Sequence, residues 1–340
     1  MKEDFDWDFA DKLDYKIRPI IDFANLKGNL FAPVKEYLDY SGWVNFLKNR
    51  SYGIPIMLPD KLSMFNYPDN SVDSKSFDLN IKDISKGIFN TNRIDYIGVK
   101  IFAENGLSFK SSGDPKKEII PFINNVQKFN NNTKKLIEKI KLSNKTIAAF
   151  QCRNVPHFGH QAIVESLMSK ADVVVINPIL GPKKPGDIKP DCLRATWQYL
   201  IKNYYGEKVK FWPVIANMFY AGPREAAHHA IIRSNLGFNY FSVGRDHAGA
   251  ENIYQDEEAS IFVINHERKF NIKIIANRGA YFCSSCKKAV IRGACPHKEE
   301  GLEDISGSDF RKHIENKKIY KFADKNLQEF VFEMKGSIFE

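Results

Sequence analysis

Four polar side chains suited to binding anions lie within ten residues of one another in the middle of the chain. The segment 151–160 carries an amide, a guanidinium and two imidazoles, from Gln151, Arg153, His157 and His160. It follows the apolar run 146–150, which predicts a buried strand, and it precedes a helical pattern of apolar residues. A helix N-terminus offers free backbone N–H groups and a partial positive charge, and arginine adds a planar fork that fits oxyanions. The sequence therefore predicts an anion-binding turn between a strand and a helix.

Four further polar motifs come later in the chain, and most of them follow predicted strands. Taken alone, the first motif, Gly181 to Ile188, is typical of a surface loop. The second, Tyr220 to Ala226, is typical of a helix start, and its charged residues serve either a ligand or an ordinary salt bridge. The third is stronger, because charged residues packed between two glycines are costly unless they are used. In the fourth, Ser308 could simply cap the helix that follows. The motifs are Gly181 to Ile188, Tyr220 to Ala226, Gly244 to Gly249 and Ile305 to Ser308.

A cluster of cysteines predicts a metal site. Cys-x-x-Cys is followed by Cys-x-His, at Cys283, Cys286, Cys295 and His297, and this pattern is typical of a closed, structural zinc site with four protein ligands. Because the last pair is unusually tight, His313, Glu299 or water also stay open as the fourth ligand. The cysteine usage favours a reducing cytoplasm over a disulfide framework.

Composition limits the class of protein. The chain has 340 residues with 43% hydrophobic content, which describes an ordinary globular protein. It has neither an apolar run long enough to span a bilayer nor a visible secretory signal, so no membrane partner is expected. The net charge of +9 suits nucleic acid as well as a small anionic substrate, because a positive field around a cleft speeds the encounter with an anion.

The elements that must position these motifs form three predicted units. Residues 1–143 are expected to form a β-rich domain with a few helices. Residues 144–304 are expected to form a parallel, doubly wound α/β sheet, because continuous apolar strands alternate with amphipathic helices. Ligands bind such sheets beyond the carboxyl ends of the strands. Residues 305–340 are expected to be a short helical subdomain.

The individual elements are predicted as follows. In residues 1–143 the apolar runs are Ile54–Leu58, Ile94–Phe102 and Glu118–Phe122, with helices at Val34–Lys48 and Lys134–Leu142. In residues 144–304 the strands are 146–150, 172–178, 209–215, 239–244 and 272–276. The helices between them are Gln161–Lys170, Leu193–Tyr204, Arg224–Asn235 and about Tyr254–Lys269.

Together and in this order, the motifs resemble those of the ATP sulfurylase (sulfate adenylyltransferase) family. The resemblance covers residues 146–311. The upstream segment, with Leu30 to Pro33 and Trp43, is similar to a divergent copy of the family's β-rich, PUA-like N-terminal domain. The cysteine cluster resembles the zinc insert, here 283–297, of some prokaryotic members. The implied fold is therefore a PUA-like domain, a Rossmann-like nucleotidyltransferase domain with a zinc insert, and a helical tail.

The resemblance implies a reaction in which a sulfate oxygen attacks the α-phosphorus of ATP, giving adenosine 5′-phosphosulfate and pyrophosphate. Positioning and electrostatic stabilisation carry such a transfer. Mg²⁺ is expected with ATP, the zinc is expected to be structural, and a homodimer is expected. The implied sulfate ligands are Gln151, Arg153 and Ala248; the implied nucleotide ligands are Gln151, Asn154, His157, His160, Gly244, Arg245, Asp246 and His247; and the implied catalytic residues are Arg153, His157, His160 and Arg245.

This sequence departs from the family pattern at several positions. The family usually has proline directly after the asparagine, whereas here Val155 lies between Asn154 and Pro156. Gln161 replaces a residue that is often charged. Met218-Phe219 lacks the arginine that usually follows the methionine. Ala250-Glu251 replaces Pro-Gly, which brings a carboxylate near the expected anion site. These changes bear on sulfate specificity more than on nucleotide chemistry.

Three alternatives remain at this stage. His157-Phe158-Gly159-His160 also fits the His-x-Gly-His element of class I aminoacyl-tRNA synthetases, but no Lys-Met-Ser-Lys-Ser-like loop follows, and nucleic acid is not expected as a partner. A nucleotidyltransferase of the same fold could act on a different oxyanion or on a phosphorylated acceptor. A non-catalytic zinc-scaffold or regulatory homologue is the third.

Overall fold

A five-stranded parallel sheet lies at the centre of the protein in a computed structural model. The structure describes residues 5–13, 18–34, 81–107, 115–297 and 301–340. The five strands are β1 (Ile147–Phe150), β2 (Val173–Ile176), β4 (Val209–Phe211), β6 (Tyr240–Val243) and β7 (Lys273–Ala276). All five predicted strands are present, although the predicted strand 209–215 divides into β4 and β5 (Val214–Ile215), and β5 pairs with β3 (Ile179–Leu180) instead.

The strand order places a topological switch point beside β1. The order is β4-β2-β1-β6-β7, so β1 has β2 on one side and β6 on the other. In register, Ala149 lies opposite Val175 and Phe241. The chain winds outward from β1 in both directions, and the crevice at the carboxyl ends of β1 and β6 is where such sheets bind ligands. This confirms the predicted doubly wound parallel sheet.

Strand alternation gives the sheet two apolar faces. Ile147, Ala149 and Val175 belong to one core cluster, whereas Ala148 and Phe150 belong to the other. Both faces are buried, as expected of a parallel sheet whose crossovers are helices. The helices between the strands are α6 (Phe158–Met168), α7 (Pro190–Leu200), α8 (Gly222–Leu236) and α9 (Glu258–Asn265), which confirms the four predicted helices with somewhat different ends.

The described part of residues 1–143 is helical. It forms α1 (Trp7–Ala10), α2 (Arg18–Lys27), α3 (Ile81–Gly87), α4 (Ile97–Leu107) and α5 (Pro115–Lys141). The interpretation of Ile94–Phe102 and Glu118–Phe122 as runs of a β-rich domain is wrong, because these residues lie largely in α4 and within α5. The described stretches of 1–143 contain no strand, so the β-rich, PUA-like domain is not confirmed. The predicted elements at Val34–Lys48 and Ile54–Leu58 lie outside the described residues, apart from Val34.

The long helix α5 shows why these residues are helical. Its buried positions Ile119, Ile123, Val126, Asn130, Thr133 and Ile137 recur every three or four residues, which is the helical period. That buried stripe joins the core cluster that contains Ile147 and Val175. The upstream helices therefore cover one face of the central sheet. The predicted helix at Lys134–Leu142 forms the last part of α5.

A small antiparallel sheet and two helices complete the described fold. The sheet has the order β10-β8-β9, from β8 (Ala280–Cys283), β9 (Lys288–Ile291) and β10 (Leu302–Asp304). Two helices follow, α10 (Gly307–Glu315) and α11 (Lys325–Phe332), as expected for the tail. Ser306 Oγ accepts a hydrogen bond from the Asp309 N–H at 3.1 Å, so Ser306, and not Ser308, caps α10. Among the helices of the described residues, none is long and apolar enough to cross a membrane.

Candidate active site

The turn after β1 lies at the switch point, and its two histidines form a stacked pair. His157 is the N-cap of α6, with an extended backbone. The His157 and His160 rings lie 3.9 Å apart at an angle of 24°, and the His157 N–H donates to His160 Nδ1 at 3.3 Å. The structure thus brings together the imidazoles that the sequence placed three residues apart.

Both imidazoles are neutral at pH 7. Burial lowers the pKa of His160 to about 4. Burial and the neighbouring His160 lower the pKa of His157 well below its ordinary value. A neutral imidazole carries one N–H donor, so these rings can donate to a phosphate oxygen without adding a full charge.

Arg153 connects the first turn to two other loops. Its Nη2 donates to the Gly249 carbonyl at 2.5 Å, and its Nη1 lies 3.7 Å from Asp187 Oδ2. The guanidinium also lies over the Tyr220 ring, 5.3 Å from its centroid. Burial is the largest single influence and opposes its charge, but Asp187, Tyr220, Asp246 and Glu225 together outweigh burial, and the pKa of Arg153 is raised. Arg153 is therefore a fixed positive charge facing the loop after β6.

Asp187 is the buried centre of this network. Its side chain accepts a hydrogen bond from Tyr220 Oη at 2.9 Å and pairs with Lys184 Nζ at 3.1 Å. Burial favours its neutral form, yet Arg153 and Lys184 prevail, and the pKa of Asp187 is lowered. The Lys184 N–H also donates to Tyr220 Oη at 2.9 Å. The loop at 181–188, which looked like an ordinary surface loop in the sequence, is thus tied into the site.

The loop after β6 has a tightly determined backbone. Ala248 has a φ of +56°, which is uncommon for a residue other than glycine. Gly249 has no room for a side chain, because an added Cβ would lie 2.0 Å from Asp246 Oδ1. The Ala248 carbonyl accepts from the Gly222 N–H at 3.2 Å. Such a conformation persists only where its surroundings fix it, and it is common at ligand sites.

Arg245 and His247 leave this loop in different directions. Arg245 is half-exposed and donates through Nη1 to Tyr281 Oη at 3.0 Å. His247 is buried and shares a hydrogen bond of 2.9 Å with His229 Nδ1 through its Nε2. His229 Nε2 in turn lies 3.3 Å from Glu225 Oε1. The geometry of His247 therefore favours a role in holding the loop, and its predicted contact with the nucleotide stays a prediction.

Glu225 extends this network to the preceding loop. It is fully buried and accepts from the Phe219 N–H at 2.9 Å and from the Ala221 N–H at 2.8 Å. The segment 220–226 thus serves mainly as a support. Glu225 and His229 of α8 connect the loop that precedes this helix to His247 in the loop after β6. Arg224 lies on the same first turn, partly exposed.

The motif Ile305 to Ser308, which contains Gly307, approaches the turn after β1 from the opposite side. A Cβ built on Gly307 would lie 3.6 Å from Asn154 Nδ2 and 3.8 Å from His157 Nε2. From the same helix, Arg311 Nη2 donates to Asn154 Oδ1 at 3.3 Å. Gly307 thus allows close approach to two predicted nucleotide ligands.

Sequence reasoning missed three residues of this arrangement, Arg311, Asp187 and Tyr220. Each lies in or beside a motif that was recognised, but none was singled out as a site residue. The available signal was their chemistry, a cation, an anion and a phenol, at the carboxyl ends of predicted strands or at a helix start. Which of them converge depends on tertiary contacts, which spacing does not reveal.

Several buried polar atoms around the first turn have no hydrogen-bond partner. They are Gln151 Oε1, Arg153 Nη1, His157 Nδ1 and Gln161 Nε2. Buried polar atoms are nearly always paired, and each exception calls for a cause such as a ligand or water. Their clustering at the switch point is consistent with a site built for a polar ligand.

The cysteine cluster has the geometry of a tetrahedral metal site. The donor atoms of Cys283, Cys286, Cys295 and His297 all lie within 4.8 Å of one another. Two of the sulfur pairs are 3.5 and 3.7 Å apart, and the sulfur to His297 Nδ1 distances are 3.3 to 3.6 Å. Four donors about 2.3 Å from a zinc ion would lie about 3.8 Å apart. The residues therefore fit zinc, with His297 as the fourth ligand.

The hairpin β8–β9, which carries two of the clustered cysteines, supports the site through its first strand. Tyr281, which holds Arg245, is two residues before Cys283 in β8. A Cβ on Gly159 would lie 3.5 Å from the Ala280 Cβ, so the same strand lies against the start of α6. The hairpin is thus placed to stabilise two parts of the site.

The fold and the site define the chain as an α/β protein with a cluster of buried polar side chains at the switch point of a doubly wound sheet. The family model for ATP-sulfurylase matches residues 125–321. A sulfate adenylyltransferase from Persephonella marina is 30% identical over 324 residues, covering 86% of this chain and 83% of that relative. The chain belongs to the ATP-sulfurylase family.

Other relatives match only part of their length. A sulfate adenylyltransferase from Hyperthermus butylicus is 44% identical over 175 residues, which is 50% of this chain and 44% of that protein. A solved structure of a hexameric APS kinase from Thiobacillus denitrificans matches 58% of this chain and 38% of its own, with 15% identity and a TM-score of 0.44. A likeness at that level supports no functional argument.

Proposed function

We propose that this protein is a sulfate adenylyltransferase. A sulfate oxygen forms a bond to the α-phosphorus of ATP. The bond between that phosphorus and the oxygen that bridges the α- and β-phosphates breaks, and pyrophosphate leaves. Sulfate is already an anion, so the attack needs no general base. The observation that carries the proposal is the cluster of buried polar atoms without a hydrogen-bond partner, on Gln151, Arg153 and His157, at the switch point, in a chain of the ATP-sulfurylase family.

Sulfate binds between the turn after β1 and the loop after β6. Arg153 supplies a full positive charge, and its Nη1 is buried without a hydrogen-bond partner. Gln151 supplies amide hydrogen bonds. Ala248 contributes its backbone N–H, and its left-handed conformation turns the peptide relative to the strand before it. Several fixed donors around one oxyanion stabilise it best where solvent is scarce.

The triphosphate binds at the start of α6. Asn154, His157 and His160 contact phosphate oxygens, and the helix N-terminus adds its partial positive charge. As the α–β bond breaks, negative charge accumulates on pyrophosphate, and these donors with Arg245 stabilise it. Gly244 and Asp246 lie beside the nucleoside. Mg²⁺ bound with ATP would offset part of the triphosphate charge.

The remaining assignments concern the environment of the enzyme. Zinc at Cys283, Cys286, Cys295 and His297 has a structural role, because four protein ligands leave no open position. The cysteines are all free thiols in the structure, which suits the cytoplasm, and we place the protein there. A homodimer, and the division of the chain at residues 143 and 304, remain predictions.

A pyrophosphate-release assay with Mg²⁺-ATP and a panel of acceptors tests the function. The panel holds sulfate, phosphate and several phosphorylated acids, and we expect release to depend on sulfate. If another acceptor supports turnover and sulfate does not, the chain is a nucleotidyltransferase of different specificity. If no acceptor supports turnover while ATP still binds, it is a non-catalytic homologue.

A further inference from the structure

The loop that holds the proposed sulfate ligand Ala248 also carries a carboxylate, on Glu251. Ala248, Glu251 and Asn252 all have positive φ values, of +56°, +53° and +52°. The loop is therefore tightly coiled, and Glu251 is only three residues from the backbone proposed to bind a dianion. Glu251 is exposed, and a free carboxylate on this short loop would weaken anion binding, because like charges repel.

The structure shows where this carboxylate goes. Glu251 Oε2 lies 2.7 Å from Arg93 Nη2, and Glu251 Oε1 accepts a hydrogen bond from the Ile97 N–H at 3.3 Å. Ile97 is the first residue of α4, which has no acidic residue of its own in its first turn. Glu251 thus fills the acceptor position at a helix N-terminus from a distant part of the chain.

The end of α4 is fixed close to the site. The Tyr96 hydroxyl donates to the Tyr220 carbonyl, and a Cβ on Gly98 would lie 2.5 Å from the Phe219 carbonyl oxygen. The partners of Glu251 are therefore attached to the loop that also contains Tyr220, which lies against Arg153. Arg93 pairs with Asp95 as well, so its charge is shared between two carboxylates.

We infer that Arg93 and the N-terminus of α4 sequester Glu251, and that this sequestration sets the affinity of the site for its oxyanion. Arg93 is a positioning residue that acts through Glu251. The inference rests on the proposed function, because the oxyanion it concerns is the one placed at Arg153 and Ala248. It makes the helical segment before residue 107 part of the determinants of anion affinity.

The test separates charge from architecture with a double-mutant design. Arg93→Ala releases a charged Glu251, so the KM for sulfate should rise three- to tenfold while the KM for ATP changes less than twofold. Adding Glu251→Gln removes the released charge, so the double variant should return to within twofold of the wild type. The Arg93→Ala effect should also shrink at high salt, because screening weakens the repulsion.

A matched control comes from a second exposed ion pair of the same region. Arg278 Nε lies 3.4 Å from Glu257 Oε2, and Glu257 also has a positive φ. Arg278→Ala should leave the sulfate KM unchanged. Thermal unfolding of each variant shows whether it folds, and Arg93→Gln replaces Arg93→Ala if that variant does not.

Two results would overturn the inference. One is an unchanged sulfate KM in Arg93→Ala, and the other is a double variant as impaired as the single one, which would show a purely structural tether. If the wild type shows no sulfate-dependent turnover, the proposed function has failed instead. Sulfate binding is then measured by calorimetry for the wild type, Arg93→Ala, the double variant and Arg278→Ala. The inference predicts weaker sulfate binding in Arg93→Ala alone.

Discussion

Arg153 is the side chain on which the site converges. It contacts the Gly249 carbonyl, Asp187 and the Tyr220 ring, which belong to three separate loops. Its position beyond the end of β1 was predictable, since parallel sheets bind ligands there. Its partners were not, because Asp187 and Tyr220 are brought to it by crossovers whose geometry the sequence does not state.

Arg153→Ala should abolish activity with the fold intact. We expect a loss of at least about 100-fold in kcat/KM, because the charge facing the oxyanion is removed and Asp187 loses a partner. Pyrophosphate release and thermal unfolding measure the two effects. Arg194→Ala is the control, because Arg194 pairs with Asp11 away from the site. Near-normal turnover of Arg153→Ala would remove this residue from the site.

The buried histidines make stability depend on pH. Burial lowers the pKa of His157, His160, His228, His229 and His247, in two cases to about 4. In the unfolded chain these groups titrate near their ordinary pKa of 6.5, so below that pH the unfolded state binds more protons. The contribution of these neutral histidines to the free energy of unfolding is therefore fully present above about pH 7. It falls as the pH drops from about 6.5 towards 4, by at most about 1.4 kcal/mol per histidine per pH unit.

Denaturant unfolding between pH 4.5 and 8 measures this effect. His228→Leu should show a shallower decline below pH 6.5, since one buried titrating group is gone. His313→Gln, which alters a partly exposed histidine outside this buried set, is the control. A stability that stays flat from pH 7.5 to 5 would show that the imidazoles take up protons equally in the native and unfolded states, which contradicts the lowered pKa values.

The loop before α8 depends on a glycine at its turn. Gly222 has a φ of +49°, and an added Cβ would lie 2.5 Å from the Tyr254 ring. The helix that follows has favourable ends, with proline at its start and Gly237 in a left-handed C-cap. The helix start was therefore predictable from Pro223, whereas the crowding that requires glycine is a tertiary property.

Gly222→Ala should destabilise the protein by about 2 kcal/mol or more, because backbone strain adds to the clash. Activity should fall as well, since Tyr220 would shift away from Arg153. Gly336→Ala is the matched control: its φ is +83° with nothing within 4 Å of an added Cβ, so only about 1 kcal/mol of backbone strain is expected. Equal thermal shifts in the two variants would contradict the crowding.

The cysteine cluster beside β8 should couple stability to activity through a bound zinc ion. We expect about one zinc per chain in reduced protein, and Cys286→Ser should lower the zinc content and the Tm. Its KM for ATP should rise, because β8 also places Tyr281 against Arg245. Cys192→Ala alters a buried cysteine outside the cluster and should keep the metal. Less than about half a zinc per wild-type chain would count against the site.

The strands and the upstream helices show what sequence patterns can and cannot predict. Continuous apolar strands such as Ile147–Phe150 were recognised because both faces of the sheet are buried. The helix α5 was recognised only in its last part. The buried stripe of this helix includes the polar residues Asn130 and Thr133, and the helix contains Pro121. The spacing of its apolar residues alone therefore does not show the helical period. Those polar residues bond to the carbonyls of Ile215 and Pro213, which no local pattern reveals.

The molecule as a whole is more tightly integrated than a division at residue 143 suggests. Arg18 donates to the carbonyls of Met218 and Pro182 at 2.8 and 2.6 Å, so the upstream helix α2 holds two of the loops around the site. Residues before and after 143 share one apolar core. The usual arginine of the 218–220 segment is missing, and in this structure a buried arginine from α2 lies against the same backbone.

The central claim is that one cradle at the switch point joins sulfate to the α-phosphorus of ATP. Incubation with [³⁵S]sulfate and Mg²⁺-ATP tests it most directly, with pyrophosphatase present to remove the second product. We expect labelled adenosine 5′-phosphosulfate to form with the wild type, and at least about 100-fold more slowly with Arg153→Ala. Phosphate formed from released pyrophosphate without incorporation of label into a nucleotide, or equal labelling by both proteins, would contradict the account.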